Sequence, residues 1–158
     1  GGHTREQVLG VLATGRRLVL DADAITSFSA QPRALLSVLH HECVLTPHEG
    51  EFRRLFPGLL EQGREAAAAE AAGRAGAVVV LKGAATIIAA PDGRLSVNDN
   101  GTPWLATAGT GDVLAGACGA MLSKGGDAFD AAVAAVGWHI AKAARIGRGL
   151  VADDLVRE

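Results

Sequence analysis

Four short stretches of this 158-residue chain hold most of the side chains able to do chemistry. "ATAGTGDVLAG" (106–116) sets one carboxylate among glycines and small apolar residues. Gly109 and Gly111 remove Cβ atoms where the backbone must approach something closely or take a positive φ. A helix opening there would point unpaired N–H groups and the positive end of its dipole outward, a seat for an anion. Asp112, in the first turn, would be favoured as a carboxylate and would serve as a base toward a ligand hydroxyl. Taken alone, the stretch reads equally well as a glycine turn with an acidic first turn. It is not a Walker A loop, because no Gly-Lys-Ser/Thr follows. It is not a dinucleotide fingerprint either, because Leu114 stands where the third glycine belongs.

The other three stretches carry compatible chemistry. In "VVVLKGAAT" (78–86), Lys82 stands at the C-terminal end of a strand, the usual ligand side of a parallel sheet. Gly83 lets the chain turn close to a ligand, and Thr86 offers a hydroxyl to a phosphate or ribose; the bland alternative is a strand-end lysine in water. In "LTPHEGEF" (45–52), His48 and Glu51 are neighbours on a helix start, and Glu51 would hold Mg²⁺ through water. Thr46, Pro47 and Glu49 there read as N-cap, first helical residue and T-x-x-E capping box, which accounts for Glu49 structurally. In "RLVLDADA" (17–24), Asp21 and Asp23 also end a strand, one facing the site and the other structural.

The elements that must position these groups follow from the apolar pattern. Strands are expected at 17–24, 43–46 and 77–83, and a hairpin over 85–98 turning at Pro91-Asp92-Gly93-Arg94. Helices are expected at 32–40, 46–56, 63–76, 110–124 and 128–146, with a glycine-containing loop over 99–109. Gly116 and Gly119, with their neighbouring alanines, predict a smooth helix face packed on the sheet. The order is that of an α/β fold, a mostly parallel sheet flanked by helices, in a single domain over 1–158. In such a sheet the four clusters fall along one crevice at the strand ends.

Composition narrows the function classes. The chain is 49% hydrophobic and 20% charged, which is globular rather than disordered. Aromatics make up only 4%, with no Tyr, and the net charge is -2, so neither a stacking platform nor a polyanion-binding surface is expected: no nucleic-acid partner. No apolar run is long enough for a membrane span, and no membrane partner is expected. Cys43 and Cys118 sit in apolar runs without metal spacing and read as small buried hydrophobes, consistent with the cytoplasm. His139 reads as a packing or surface histidine. The opening "GGHTREQ" reads as the middle of a longer unit.

Together "VLDADA", "LTPHEGE", "VVLKGAAT", "ATAGTGDVLAG" and "GLVADDL" resemble, in order and context, the NAD(P)H-hydrate dehydratases of the ribokinase-like superfamily, long labelled carbohydrate kinases. The resemblance covers essentially the whole chain and implies a three-layer α/β/α fold, of which this chain is the C-terminal portion. It implies ADP- or ATP-dependent, Mg²⁺-assisted repair of hydrated NADH or NADPH: phosphorylation of the C6 hydroxyl, then loss of phosphate. Carried over, Lys82, Gly83, Ala84, Ala85 and Thr86, with Gly109, Thr110 and Gly111, would contact the nucleotide. His48 and Asp112, together with Asp21 and Asp23, would lie on the substrate side, with Asp112 the catalytic base and Glu51 the metal carboxylate. A small-molecule kinase of the same superfamily and a nucleotide-binding fragment without turnover are the alternatives. The open sheet edge of a shortened domain would favour a homo-oligomer.

Overall fold

Leu, Val and Cys fill the strands Leu18–Leu20 (β1), Cys43–Leu45 (β2) and Val78–Leu81 (β3), the composition of a sheet covered on both faces. In the computed structural model, residues 1–99 and 109–157 are described, and most of the expected loop over 99–109 lies outside them. β1, β2 and β3 pair in parallel, and β4 (Thr86–Ala89) and β5 (Leu95–Asn98) follow antiparallel as the expected hairpin. The order is β1-β2-β3-β4-β5, so every strand but β4 points the same way.

Alternation along the strands sorts the core into two layers. Val79, Leu81, Ile87 and Ala89 face one way, against α1 (Gly2–Leu12), α2 (Asp23–Thr26), α3 (Pro32–Leu36), α4 (Glu49–Leu55) and α5 (Arg64–Ala75). Val78, Val80, Ile88 and Ala90 face α6 (Thr110–Ser123) and α7 (Ala128–Ile146). A short α8 (Ala152–Val156) closes against both of the latter through Leu155. This is the three-layer α/β/α arrangement with a hairpin. α7 buries one apolar stripe, with Phe129, Val136 and Ile140 in the core and Val133 packed beside them.

Two features set the aim of the site-bearing elements. Phe52 and Phe56 are buried with ring centroids 5.0 Å apart, anchoring α4. At the far end of the sheet, Arg94 donates to both oxygens of Asp127 at 3.0 and 2.9 Å and lies over the Phe129 ring, tying the hairpin to α7.

Some expectations change. The segment over 17–24 leaves the sheet after Leu20; Ala22 takes φ +46, and Asp23 starts α2 instead of ending a strand. The helix expected at 32–40 is only Pro32–Leu36. The segments Gly2–Leu12 and Ala152–Val156, not anticipated as elements, are helical. Gly116 and Gly119 do not pack on the sheet: α6 faces it with Leu114, Cys118 and Leu122, and a Cβ at either glycine would meet nothing within 4 Å. The row of side chains at 114, 118 and 122, one every four residues, outcompetes the smooth face for the sheet because larger side chains bury more apolar surface. Gly116 instead borders an open groove of about 700 Å³ with Ala120, Met121, Trp138 and Val156.

Candidate active site

The capping box of α4 is built by different residues from those expected. His48 is the N-cap: its Nδ1 accepts from the Gly50 and Glu51 amides at 2.9 and 3.3 Å, and Glu51 Oε2 accepts from the His48 amide at 2.9 Å. Thr46 is fully buried, its amide bonded to the Leu20 carbonyl at 3.0 Å. The reason is strand pairing. The Lys82 amide donates to the Pro47 carbonyl at 2.9 Å and His48 bridges Lys82, so the chain stays extended through 48 and the helix starts two residues late. Glu49, released from capping, reaches Arg64 Nε at 3.0 Å and Arg53 Nη2 at 3.4 Å.

This pairing brings the strand-end clusters together. Lys82 Nζ donates to Asp21 Oδ1 at 2.9 Å, with both side chains largely shielded. The first turn of α6 lies against the same ammonium: a Cβ on Gly111 would stand 3.4 Å from Lys82 Nζ. Asp21, His48, Lys82 and Gly111 thus converge where β1, β2 and β3 end and α6 begins. Asp112 is exposed on the groove side of α6 beside Gly109 and Gly116. Asp23 is not drawn into this contact; it is exposed at the start of α2, and Asp21 takes the lysine. Gly83 and Ala84 are exposed and Ala85 and Thr86 half-buried, so the loop presents its backbone outward.

The N-terminus of α6 has no cap of the usual kind. Its N-cap is Gly109 at φ +85, which has no side chain to bond the first turn. The helix therefore starts on glycine beside a lysine ammonium, a combination suited to phosphate oxygens. Below this turn lie two groups that stay neutral. Burial pushes the Cys118 thiol up to about 12, aided by the negative charge of Asp21, which fits its reading as a small hydrophobe. Burial pulls His139 below its ordinary value, and its bond to the Thr110 backbone opposes that shift. His139 is therefore a core histidine that braces the start of α6.

The metal expectation can be tested on the donor set. Both oxygens of the buried Glu51 turn toward His48, Oε1 lying 3.4 Å from Nε2. Among the described residues no cluster of three or more His, Cys, Asp or Glu side chains could hold an ion unaided.

Sequence reasoning missed Arg64. Its guanidinium reaches the carbonyls of Leu81, Lys82 and Ala85. A signal was present: Arg64 is the first residue of α5, where the helix dipole disfavours a cation.

Fold and crevice define an α/β protein of the ribokinase-like kind. A ribokinase-like superfamily protein from Enterococcus faecalis superposes with a TM-score of 0.83 at 29% identity, over 96% of this chain and 54% of that one. The sequence model of the NAD(P)H-hydrate dehydratase family matches residues 3–154, and the chain belongs to that family. It is 40% identical over 172 aligned positions to the ADP-dependent (S)-NAD(P)H-hydrate dehydratase of Neisseria meningitidis serogroup B, covering 98% of this chain and 58% of that protein. The ADP/ATP-dependent NAD(P)H-hydrate dehydratase of Bacillus subtilis, co-crystallized with ATP/Mg²⁺, matches at TM-score 0.70 and 33% identity over 87% of this chain and 50% of that one. The chain spans from 21% to 58% of the length of the curated relatives it matches. Among the described residues no helix is long and apolar enough to cross a membrane.

Proposed function

We propose that this chain carries the nucleotide-dependent half of an NAD(P)H-hydrate dehydratase site. The observation that supports it most is the meeting of Lys82 with the glycine-started first turn of α6 at Gly111. In this reading the loop over 82–86 and Gly109, Thr110 and Gly111 receive the phosphates of ADP or ATP. Backbone N–H groups and the Lys82 ammonium then stabilise the charge on the transferring phosphoryl group.

His48 and Asp112 would hold the hydrated nicotinamide, with Asp21 acting through Lys82 and Asp23 at the margin. Asp112 takes the proton of the C6 hydroxyl as its oxygen attacks the terminal phosphorus and the bond to the leaving nucleotide breaks. The phosphate then departs with the C–O electron pair, a proton leaves C5, and the dihydronicotinamide double bond returns. Mg²⁺ bound with the phosphates would neutralise their charge, and Glu51, beside His48, would be the carboxylate that takes one of its waters. The reading places the protein in the cytoplasm and includes a homo-oligomer.

The test is incubation with hydrated NADH or NADPH, ADP or ATP and Mg²⁺, following the return of dihydronicotinamide absorbance. Recovery dependent on nucleotide is expected. A stable phosphorylated product would assign a small-molecule kinase instead. Nucleotide binding without either product would leave a binding domain alone.

A further inference from the structure

We propose that Arg64 is a positioning residue for the nucleotide loop, clamping residues 81–85 in the shape that receives phosphate; the inference rests on the reading of 82–86 as that loop. Arg64 Nη1 donates to the Ala85 carbonyl at 2.6 Å, and Nη2 approaches the carbonyls of Lys82 and Leu81 at 3.3 and 3.4 Å. One planar fork thus grips both ends of the turn between β3 and β4, a geometry lysine cannot reproduce. With its carbonyls drawn down to Arg64, the turn has them occupied on the side of α5. Carbonyl dipoles facing a phosphate would repel it, so holding them there favours an anion on the other side.

Gly83 gives independent support. It does not adopt a positive φ, so backbone freedom does not explain it. A Cβ there would stand 2.3 Å from Arg64 Nη2 and 2.9 Å from Cζ. The glycine makes room for the guanidinium. The clamp is also tied to the substrate side: Arg64 Nε lies 3.0 Å from Glu49 Oε1, an ion pair lacking hydrogen-bond alignment. Glu49 is the first residue of α4, directly after His48. Arg64 therefore links the turn after β3 to the helix start after β2, and offsets its unfavourable place at an N-terminus by these contacts.

The experiment measures two properties of Arg64→Ala, Arg64→Lys, Gly83→Ala and the pair Arg64→Ala/Gly83→Ala: amide hydrogen exchange of 81–87 without ligand, and calorimetric affinity for ADP. Arg64→Ala is expected to speed exchange in 81–87 and weaken ADP about tenfold, the effect of one charge-assisted hydrogen bond. Arg64→Lys recovers little of either. Gly83→Ala weakens ADP in the native background by displacing Arg64, and adds nothing to Arg64→Ala. It also removes no native side chain, which keeps the test available should Arg64→Ala fold poorly. Unchanged exchange, or Gly83→Ala losses that simply add, overturn the clamp. Faster exchange with unchanged ADP affinity keeps the contact but overturns its role in nucleotide binding, together with the reading of the loop.

Discussion

α6 and α7 lie side by side on one face of the sheet and begin in opposite ways. α7 opens with Asp127, whose Oδ1 accepts from the Phe129 and Asp130 amides at 2.9 and 3.1 Å, while Arg94 holds its carboxyl below the usual carboxylate range. α6 opens with Gly109, and its first turn faces the Lys82 ammonium. A carboxylate at the N-cap fills the orphan donors from within the chain; a glycine leaves them for something that arrives. One helix start is capped by its own carboxylate; the other is the one proposed to receive a ligand.

The contrast breaks first at Lys82. Lys82→Met should weaken ADP or ATP about 10- to 100-fold, as expected for losing a charged hydrogen-bond donor. Calorimetry with the unaltered protein as reference checks this. An unchanged affinity would mean that the open helix start receives no phosphate.

The counterpart is Asp127→Ala. It should cost about 1 kcal/mol of stability through the lost cap, about 2–4 °C in Tm, with nucleotide affinity unchanged. A loss of affinity would erase the division between the two helix starts. Gly119→Ala sharpens the same comparison along α6. It lies mid-helix facing open space, so thermal unfolding should show a gain of about 0.5–1 kcal/mol.

The smallest effect concerns the residue joining the two helices. His139, on α7, is buried against Thr110 of α6, and its folded pKa lies below 6.5. As pH falls through 6.5 the unfolded chain takes up a proton that the folded state refuses. This contribution to stability is therefore whole above that pH and declines below it, until the folded histidine also protonates. Tm measured from pH 7.5 down to about 5 should fall less steeply in His139→Leu than in the native chain.

Much of this division was legible in the sequence. The strand at 77–83, the hairpin turn with its Asx-type residue and the helix at 128–146 all carry local signals that tertiary packing only reinforces. The convergence of Asp21, His48, Lys82 and Gly111 also followed from strand ends in an α/β sheet. What failed was register set by partners distant in sequence. The bond between Lys82 and Pro47 keeps residues 46–48 extended, so the cap moved from Thr46 to His48, against a good local motif. The orientation of α6 was misjudged because small residues fit a groove as well as a sheet. Arg64 stands out as a cation at a helix start, but the carbonyls it reaches, 17 to 21 positions away, are set by tertiary contacts that no local pattern encodes.

The central claim is that the open start of α6 does phosphoryl chemistry through Asp112. It is tested most directly by comparing native protein with Asp112→Asn, measuring ADP affinity by calorimetry and the recovery of hydrated NADH with ADP and Mg²⁺. The account expects turnover to fall at least about 10²-fold, the contribution of a general base, with ADP affinity largely kept. Equal loss of both would make Asp112 a structural part of the helix start, and undiminished turnover would contradict its role outright.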